Sequence, residues 1–187
     1  MAVVWTATLG TSANNFQNYC IRTVAGSLSG GGDEVRVRFI ASASQGLFVD
    51  NASIGVLGGA TAPNCTTNPP VELKFGGASG FTVGAGGSIV SDWASLPFLS
   101  TDTLIVTADH GATASGHKEG SLNSGSVSWF RAAYNGYNLA TVSGMSSSAA
   151  GYVRGIDQIE GQFVSGGQPL IKRLGGVPFE ARNGGVW

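Results

Sequence analysis

The side chains best suited to acid–base or metal chemistry lie in one short segment of the 187-residue chain, from Asp109 to Glu119. The segment contains both histidines of the protein, His110 and His117, with a carboxylate at either end. Imidazole and carboxylate groups bind zinc and related ions. Their spacing here matches no metal-binding signature, and two glycines within the segment favour a mobile loop with exposed histidines. We therefore predict no metal site.

Nucleophilic catalysis would need a serine held in a fixed turn beside a base and an orienting acid. The chain has no Gly-X-Ser-X-Gly elbow, and the segment from Ser143 to Ser146 is a poor substitute. With 21 serines in the sequence, proximity of one to a histidine is expected by chance. Residues 84–87, Gly-Ala-Gly-Gly, are typical of a hairpin turn rather than a nucleotide loop. We predict no catalytic residue and no cofactor, and keep a small serine esterase as an alternative.

Glycan binding requires exposed aromatic rings flanked by amide or carboxylate side chains in a shallow groove. One segment places two tyrosines and two asparagines around a glycine, directly after a predicted strand that contains a tryptophan and an arginine. The candidate glycan-binding residues are Trp129, Arg131, Tyr134, Asn135, Tyr137 and Asn138. The alternative is a solvated hairpin at the tyrosines and core positions for the rings of Trp93 and Trp129. We favour the core for Trp93.

Short strands must position these residues, because no window shows the apolar period of a helix. Residues 34–41 alternate charged and apolar side chains, which indicates a sheet with one face buried and the other in water. Residues 104–107, Leu-Ile-Val-Thr, form the most uniformly apolar of the predicted strands and should lie centrally in a sheet. The predicted strands are residues 2–8, 19–24, 34–41, 52–57, 71–75, 81–83, 88–93, 103–108, 126–133 and 156–163. Glycine-rich turns between short strands predict an all-β sandwich or barrel.

Long polar loops are predicted at residues 60–70, 112–124 and 135–150, with one helical turn at 143–150. The tail, residues 166–187, has two prolines and three glycine pairs among apolar residues and is predicted to be an extended arm following a domain at residues 1–165. Such an arm docks either on a neighbouring subunit or on its own domain. The residues assigned to assembly are Leu170, Ile171, Leu174, Val177, Phe179 and Trp187.

The composition predicts an ordered, loop-rich protein. Glycine (30 residues) and serine (21) are abundant, but 42% of residues are apolar and the net charge is −1. Only 11% of residues are charged, without a basic excess, so we predict no nucleic-acid partner. No apolar stretch is long enough for membrane insertion. Cys20 and Cys65 are predicted to be unlinked core residues.

The segment at residues 27–56, SLSGGGDEVRVRFIASASQGLFVDNASIGV, resembles the opening of the β-sandwich that precedes the catalytic domain in some esterases of the GDSL/SGNH family. Residues 75–93 are similar to later turn-and-strand elements of the same module. The resemblance implies a jelly-roll-like antiparallel sandwich, an accessory domain that binds carbohydrate. It does not imply hydrolysis, because the Gly-Asp-Ser block and the late Asp-X-X-His of the catalytic domain are missing from this sequence.

The predicted function follows from combining these features. The composition is typical of a secreted β-protein, yet the first 16 residues lack a secretory signal. A virion protein would have both the composition and the missing signal, because virion proteins are made in a host cytoplasm and act outside it. We predict a non-enzymatic, virion-surface structural protein of a bacteriophage, a head decoration, spike or tail attachment protein. Its expected partners are copies of itself, other virion proteins and a surface polysaccharide. The alternative is a stand-alone, extracellular carbohydrate-binding module.

Overall fold

The computed structural model of the protein describes residues 1–10, 13–58, 64–65, 69–113, 115–120, 126–132, 136–141, 143–147 and 153–164, of which residues 13–16 are described by their backbone only. The predicted arm at residues 166–187 lies outside this part of the chain, as do Tyr134 and Asn135 of the predicted glycan site. The assembly residues assigned to the arm and the domain boundary at residue 165 therefore stay predictions.

The described residues form sixteen strands and no helix. The first eight strands are β1 (Ala2–Thr6), β2 (Ala13–Phe16), β3 (Tyr19–Ala25), β4 (Gly32–Ile40), β5 (Leu47–Val49), β6 (Asn51–Val56), β7 (Val71–Leu73) and β8 (Phe81–Val83). The others are β9 (Ser88–Val90), β10 (Ala94–Phe98), β11 (Leu104–His110), β12 (Ser115–Gly120), β13 (Val127–Ala132), β14 (Ser146–Ser147), β15 (Val153–Arg154) and β16 (Ile156–Gln162). Each of the ten predicted strands has a counterpart among them.

One sheet has five strands in the order β1-β16-β4-β10, with β9 also paired to β4. The alternation predicted for β4 is confirmed: Val35, Val37 and Phe39 are buried, whereas the arginines between them face away from the core. Arg36 forms an ion pair with Glu160, and Arg38 forms one with Asp157; both acidic residues belong to β16. The outward face of this sheet therefore carries two ion pairs between β4 and β16.

The other sheet has six strands in the order β14-β13-β3-β11-β6-β7. All seven residues of β11 are buried, which confirms the central position predicted for residues 104–107. Register places Thr107 between Arg22 of β3 and Ser53 of β6. Because side chains alternate along a strand, Arg22 and Thr107 share one face and their neighbours share the other.

The main core lies between the two sheets and draws on both. Phe39 of the five-stranded sheet belongs to the same buried cluster as Ile54 and Val106 of the six-stranded sheet. Phe39 also packs against Phe75 and Phe81, with ring centroids 5.7 and 5.2 Å from its own. Full burial of each such side chain contributes about 1.5–3 kcal/mol. The protein is thus an all-β fold of antiparallel sheets, as predicted, while jelly-roll connectivity stays a prediction.

Two further sheets are small. One pairs β15, β12 and β2, and the other pairs β5 with β8. Two predictions are wrong here: the loop expected at residues 112–124 contains β12, and Ser146–Ser147 of the expected helical turn form β14. Both segments lack apolar alternation, so their strand form depends on backbone pairing with neighbours distant in sequence. Within the described residues no helix is long and apolar enough to cross a membrane.

Candidate functional site

A buried arginine on the outward face of the six-stranded sheet holds the segment that carries two of the predicted glycan-binding residues. The side chain of Arg22 is completely buried. Its guanidinium donates to the carbonyl oxygens of Gly136 (3.0 Å), Ala140 (3.3 Å) and Leu139. Arginine suits this role because its fixed planar fork carries five donors and no acceptor. The segment at residues 136–140 is thereby fastened to the sheet.

A buried carboxylate holds the same segment through its N–H groups. Asp109 Oδ2 accepts hydrogen bonds from the backbone N–H of Gly136 and of Tyr137, both at 2.9 Å. The Ser53 hydroxyl donates to the carbonyl oxygen of Tyr137. Burial raises the pKa of the Asp109 carboxyl, while hydrogen bonds from the Cys20 thiol and from the two N–H groups act in the opposite direction. The segment is therefore held at both its donors and its acceptors.

The structure brings four of the predicted glycan-binding residues to this outward face. Trp129 and Arg131 are alternate residues of β13, and Trp129 packs against a small apolar cluster that includes Ile105. The Arg131 guanidinium donates to the Ser143 carbonyl at 2.6 Å. Tyr137 is partly exposed and Asn138 is exposed, in the segment fastened by Arg22. Trp129 is half-buried, so it is neither a free platform nor a full core residue.

Trp93 is not a core residue, contrary to the sequence prediction. It is only partly buried and the Arg36 guanidinium lies over its ring, 4.6 Å from the centroid. Because Arg36 faces outward from β4, this cation–π contact is on the solvent side of the five-stranded sheet. Trp5 supplies a core indole instead, at 6% exposure. The sequence around Trp93 carries no clear alternation that would have indicated its face.

The two histidines are buried side by side, contrary to the predicted exposed loop. His110 ends β11 and His117 lies in β12, and their ring centroids are 4.5 Å apart in an edge-to-face arrangement. His110 Nδ1 lies 2.9 Å from the carbonyl oxygen of Phe48, and the Ser115 hydroxyl donates to the same oxygen at 2.7 Å. A carbonyl only accepts, so Nδ1 carries a proton, and in the neutral imidazole Nε2 is then unprotonated.

Burial keeps both imidazoles uncharged at neutral pH. It lowers the pKa of His110 from 6.5 to about 4. It also lowers the pKa of His117 well below 6.5, with further contributions from the charges of His110 and Arg154. Transfer of an ionised imidazole into this low-dielectric site would lose the hydration that stabilises its charge. The two histidines therefore pack as neutral rings, and their protonation at low pH would destabilise the folded state.

An ion pair lies beside the histidines in the same polar layer. Arg154 Nε donates to Glu119 Oε1 at 2.9 Å, and both side chains are almost fully buried. The Arg154 guanidinium also lies over the Phe130 ring, 4.9 Å from its centroid. The hydroxyls of Thr23 and Ser128 are 2.8 Å apart, and Ser128 Oγ accepts from the backbone N–H of Arg154. Within the described residues no group of three His, Cys, Asp or Glu side chains is arranged to bind a metal ion.

Sequence reasoning missed Arg22, Ser53 and Arg154 as organisers of these layers. One signal was available, because Arg22 is a charged residue inside a strand whose other members are mostly apolar, a position that requires a buried partner. Cys20 and Cys65 are free and buried, which confirms the prediction that they are unlinked.

No protein-family model matches the chain, and no curated protein matches it either.

Proposed function

We propose that this protein is a non-enzymatic structural component of a bacteriophage virion surface, a head decoration, spike or tail attachment protein that works as an oligomer. One observation carries the proposal: five of the seven large apolar side chains that are exposed among the described residues lie at one end of the five-stranded sheet. Soluble monomers rarely expose such groups together, and where they do the surface is commonly an interface. Association with other copies would remove this surface from water.

The use of the polar side chains supports a structural role. His110, Ser115 and Glu119 are at most 3% exposed, so a substrate could not reach them in the folded state. Their hydrogen-bonding groups contact Phe48 and Arg154 inside the fold. A nucleophile and its base need access to the reacting atom. Ion pairs and buried polar layers of this kind contribute to a durable sandwich suited to use outside a cell.

The experiment is a mass measurement of the purified full chain in solution, combined with low-resolution imaging and an assay with p-nitrophenyl acetate. We expect a closed oligomer of defined size and no turnover above buffer. A monomer at every concentration would contradict the structural proposal. Turnover that is lost in His110→Ala and His117→Ala would favour the esterase alternative. Capsid and tail genes beside the gene for this chain would support the virion setting.

A second candidate function is glycan binding, which is compatible with the first. It is favoured by the fastening of Tyr137 and Asn138 over the sheet, because a segment that is ordered before binding loses less entropy when a ligand arrives. A glycan array with the wild-type chain should show binding that Tyr137→Ala removes. Trp93→Ala is the matched control, since its ring is on the other sheet. Loss of binding in Trp93→Ala alone would contradict this site.

A further inference from the structure

A cluster of exposed apolar side chains, here called the end patch, lies where β1 begins and β16 ends. Its members are Met1, Val3, Leu99, Phe163 and Val164, which are 80%, 47%, 46%, 58% and 48% exposed. The pairing of Ala2 with Gly161 and of Gly32 with Phe98 places them along one end of the five-stranded sheet. The other two exposed large apolar residues, Val90 and Leu139, lie outside it.

Carboxylates surround the end patch. Asp33 and Glu34 lie at the start of β4, and Glu34 accepts a hydrogen bond from Gln162 Nε2 at 2.7 Å. Asp102 Oδ2 accepts from the backbone N–H of Leu99 at 2.8 Å. Within the described part of the chain none of these three carboxylates forms an ion pair. Arg36 Nη2 also lies 3.2 Å from Met1 Sδ, but its charge is paired with Glu160. The carboxylates without an ion pair thus give the end patch an acidic rim, which fits a partner with apolar and basic side chains.

The backbone of β1 is not open to strand addition along its length. The N–H of Ser29 donates to the Val4 carbonyl at 2.9 Å, and the register of β1 shifts between Val3 and Trp5. A bulge and a covered carbonyl are devices that prevent edge-to-edge pairing. A partner that docks on the end patch is therefore expected to use its side chains rather than to extend β1.

The chain itself contains a segment of the required chemistry. Residues 170–174, Leu-Ile-Lys-Arg-Leu, place two basic side chains between apolar ones. Residues 1–164 carry 7 basic and 10 acidic side chains, hence a formal charge of −3, whereas residues 165–187 carry 3 basic and 1 acidic, hence +2. Pro169 and Pro178 flank the segment and lack the N–H that a ladder would need. The segment thus suits docking by side chains on an acidic, apolar surface.

We propose that residues 170–174 of one copy dock on the end patch of a second copy, with Lys172 and Arg173 facing the acidic rim. This rests on the proposed function, because it specifies the interface of the proposed oligomer. Val164 is itself part of the end patch, so the same chain could cover it only by reversing direction before residue 170. Docking within the same chain would require that reversal within the five residues 165–169. Reciprocal exchange between two copies buries the end patch of each.

The experiment is a charge exchange in the full chain, read by native mass spectrometry and light scattering. Lys172→Glu/Arg173→Glu reverses the segment, and Glu34→Lys/Asp102→Lys reverses the rim. We expect each double variant alone to dissociate about tenfold or more readily than the wild type, because favourable charge pairs become repulsive. Mixed in equal amounts, the two variants should form hetero-oligomers, since each segment then meets a rim of opposite charge. Arg182→Glu is the control outside the segment and should leave assembly unchanged.

The outcomes separate this inference from the proposed function. A wild-type oligomer that is unaffected by either double variant would overturn the docking interface and leave the structural role standing. Variants that dissociate alone but fail to associate when mixed would show that the segment docks within its own chain, which also overturns the inference. A wild type that is monomeric throughout would overturn both. Leu170→Asp provides a second measurement, and it should weaken assembly while leaving the urea denaturation of the dissociated chain unchanged.

Discussion

Arg22 and Asp109 hold one backbone segment through opposite kinds of group. Arg22 donates to three carbonyl oxygens of residues 136–140, whereas Asp109 accepts the N–H groups of Gly136 and Tyr137. A loop that crosses a sheet face must satisfy its backbone polar groups without a neighbouring strand. The two charged side chains supply those partners, so the segment is ordered although it is not part of either sheet.

The first prediction concerns this anchoring. Arg22→Leu should lower the free energy of unfolding by about 3–5 kcal/mol, because it leaves three carbonyl oxygens without their donor, at about 1–3 kcal/mol each, and removes the positive charge near Asp109. Asp109→Asn keeps one acceptor and a similar shape, so about 1–2 kcal/mol is expected. Urea denaturation measures both. Hydrogen exchange at the amides of Gly136 and Tyr137 should accelerate before global unfolding.

Arg131→Met is the matched control for the anchoring prediction. Arg131 donates an exposed hydrogen bond to the Ser143 carbonyl. Its removal should cost less than about 1 kcal/mol. If Arg131→Met and Arg22→Leu were equally destabilising, the special role assigned to the buried guanidinium would be wrong.

Strands whose apolar residues alternate or form a continuous run were predictable from the sequence. Strands that depend on pairing with distant parts of the chain were not. The alternation in β4 and the apolar run in β11 specify their own burial. The polar sequence of β12, Ser-Gly-His-Lys-Glu-Gly, contains no such pattern, and its form comes from pairing with β2 and β15. A pattern-based prediction therefore placed a loop where tertiary contacts impose a strand.

The same limit applies to the candidate sites. Residue types identified Trp129, Tyr137 and the histidines as candidates, but not the side of the fold on which each lies. His110 is buried because β11 extends through it, and Asp109 beside it points to the opposite face. One additional residue of strand therefore separates two groups that the sequence suggested as joint metal ligands.

The second prediction concerns acid stability. The pKa of His110 is 6.5 when unfolded and about 4 when folded, so the folded state binds fewer protons between these values. Its contribution to stability is complete above pH 6.5 and is lost as the pH falls toward 4, by roughly 3 kcal/mol in total. The raised pKa of Asp109 acts in the opposite direction, because protonation of that carboxyl in the folded state favours folding at low pH.

His110→Asn tests the acid prediction. An asparagine amide can still donate to the Phe48 carbonyl, but it does not ionise. Denaturation at a series of pH values from 7 down to 4 should therefore show a shallower loss of stability in the variant than in the wild type. Parallel curves for the two proteins would show that His110 does not supply the acid sensitivity.

The third prediction concerns the buried ion pair. Glu119→Ala leaves Arg154 buried without its carboxylate and should cost about 3–5 kcal/mol. Glu119→Gln retains an acceptor and should cost less. The control is Glu72→Gln in the pair with Lys74, whose side chains are 35% and 39% exposed. An exposed pair of this kind contributes about 0–1 kcal/mol. Thermal denaturation that ranks Glu72→Gln with Glu119→Ala would contradict the assignment.

The fourth prediction separates backbone strain from steric conflict at two glycines with the same φ of 73°. At Gly86 an added Cβ meets no atom within 4 Å, whereas at Gly155 it would lie 2.3 Å from His117 Nδ1. Gly86→Ala should therefore cost only the conformational term, about 1–2 kcal/mol. Gly155→Ala adds overpacking against the histidine pair, about 1–3 kcal/mol more. Urea denaturation of the two variants measures the difference directly, and equal losses would mean that the packing around His117 relaxes freely.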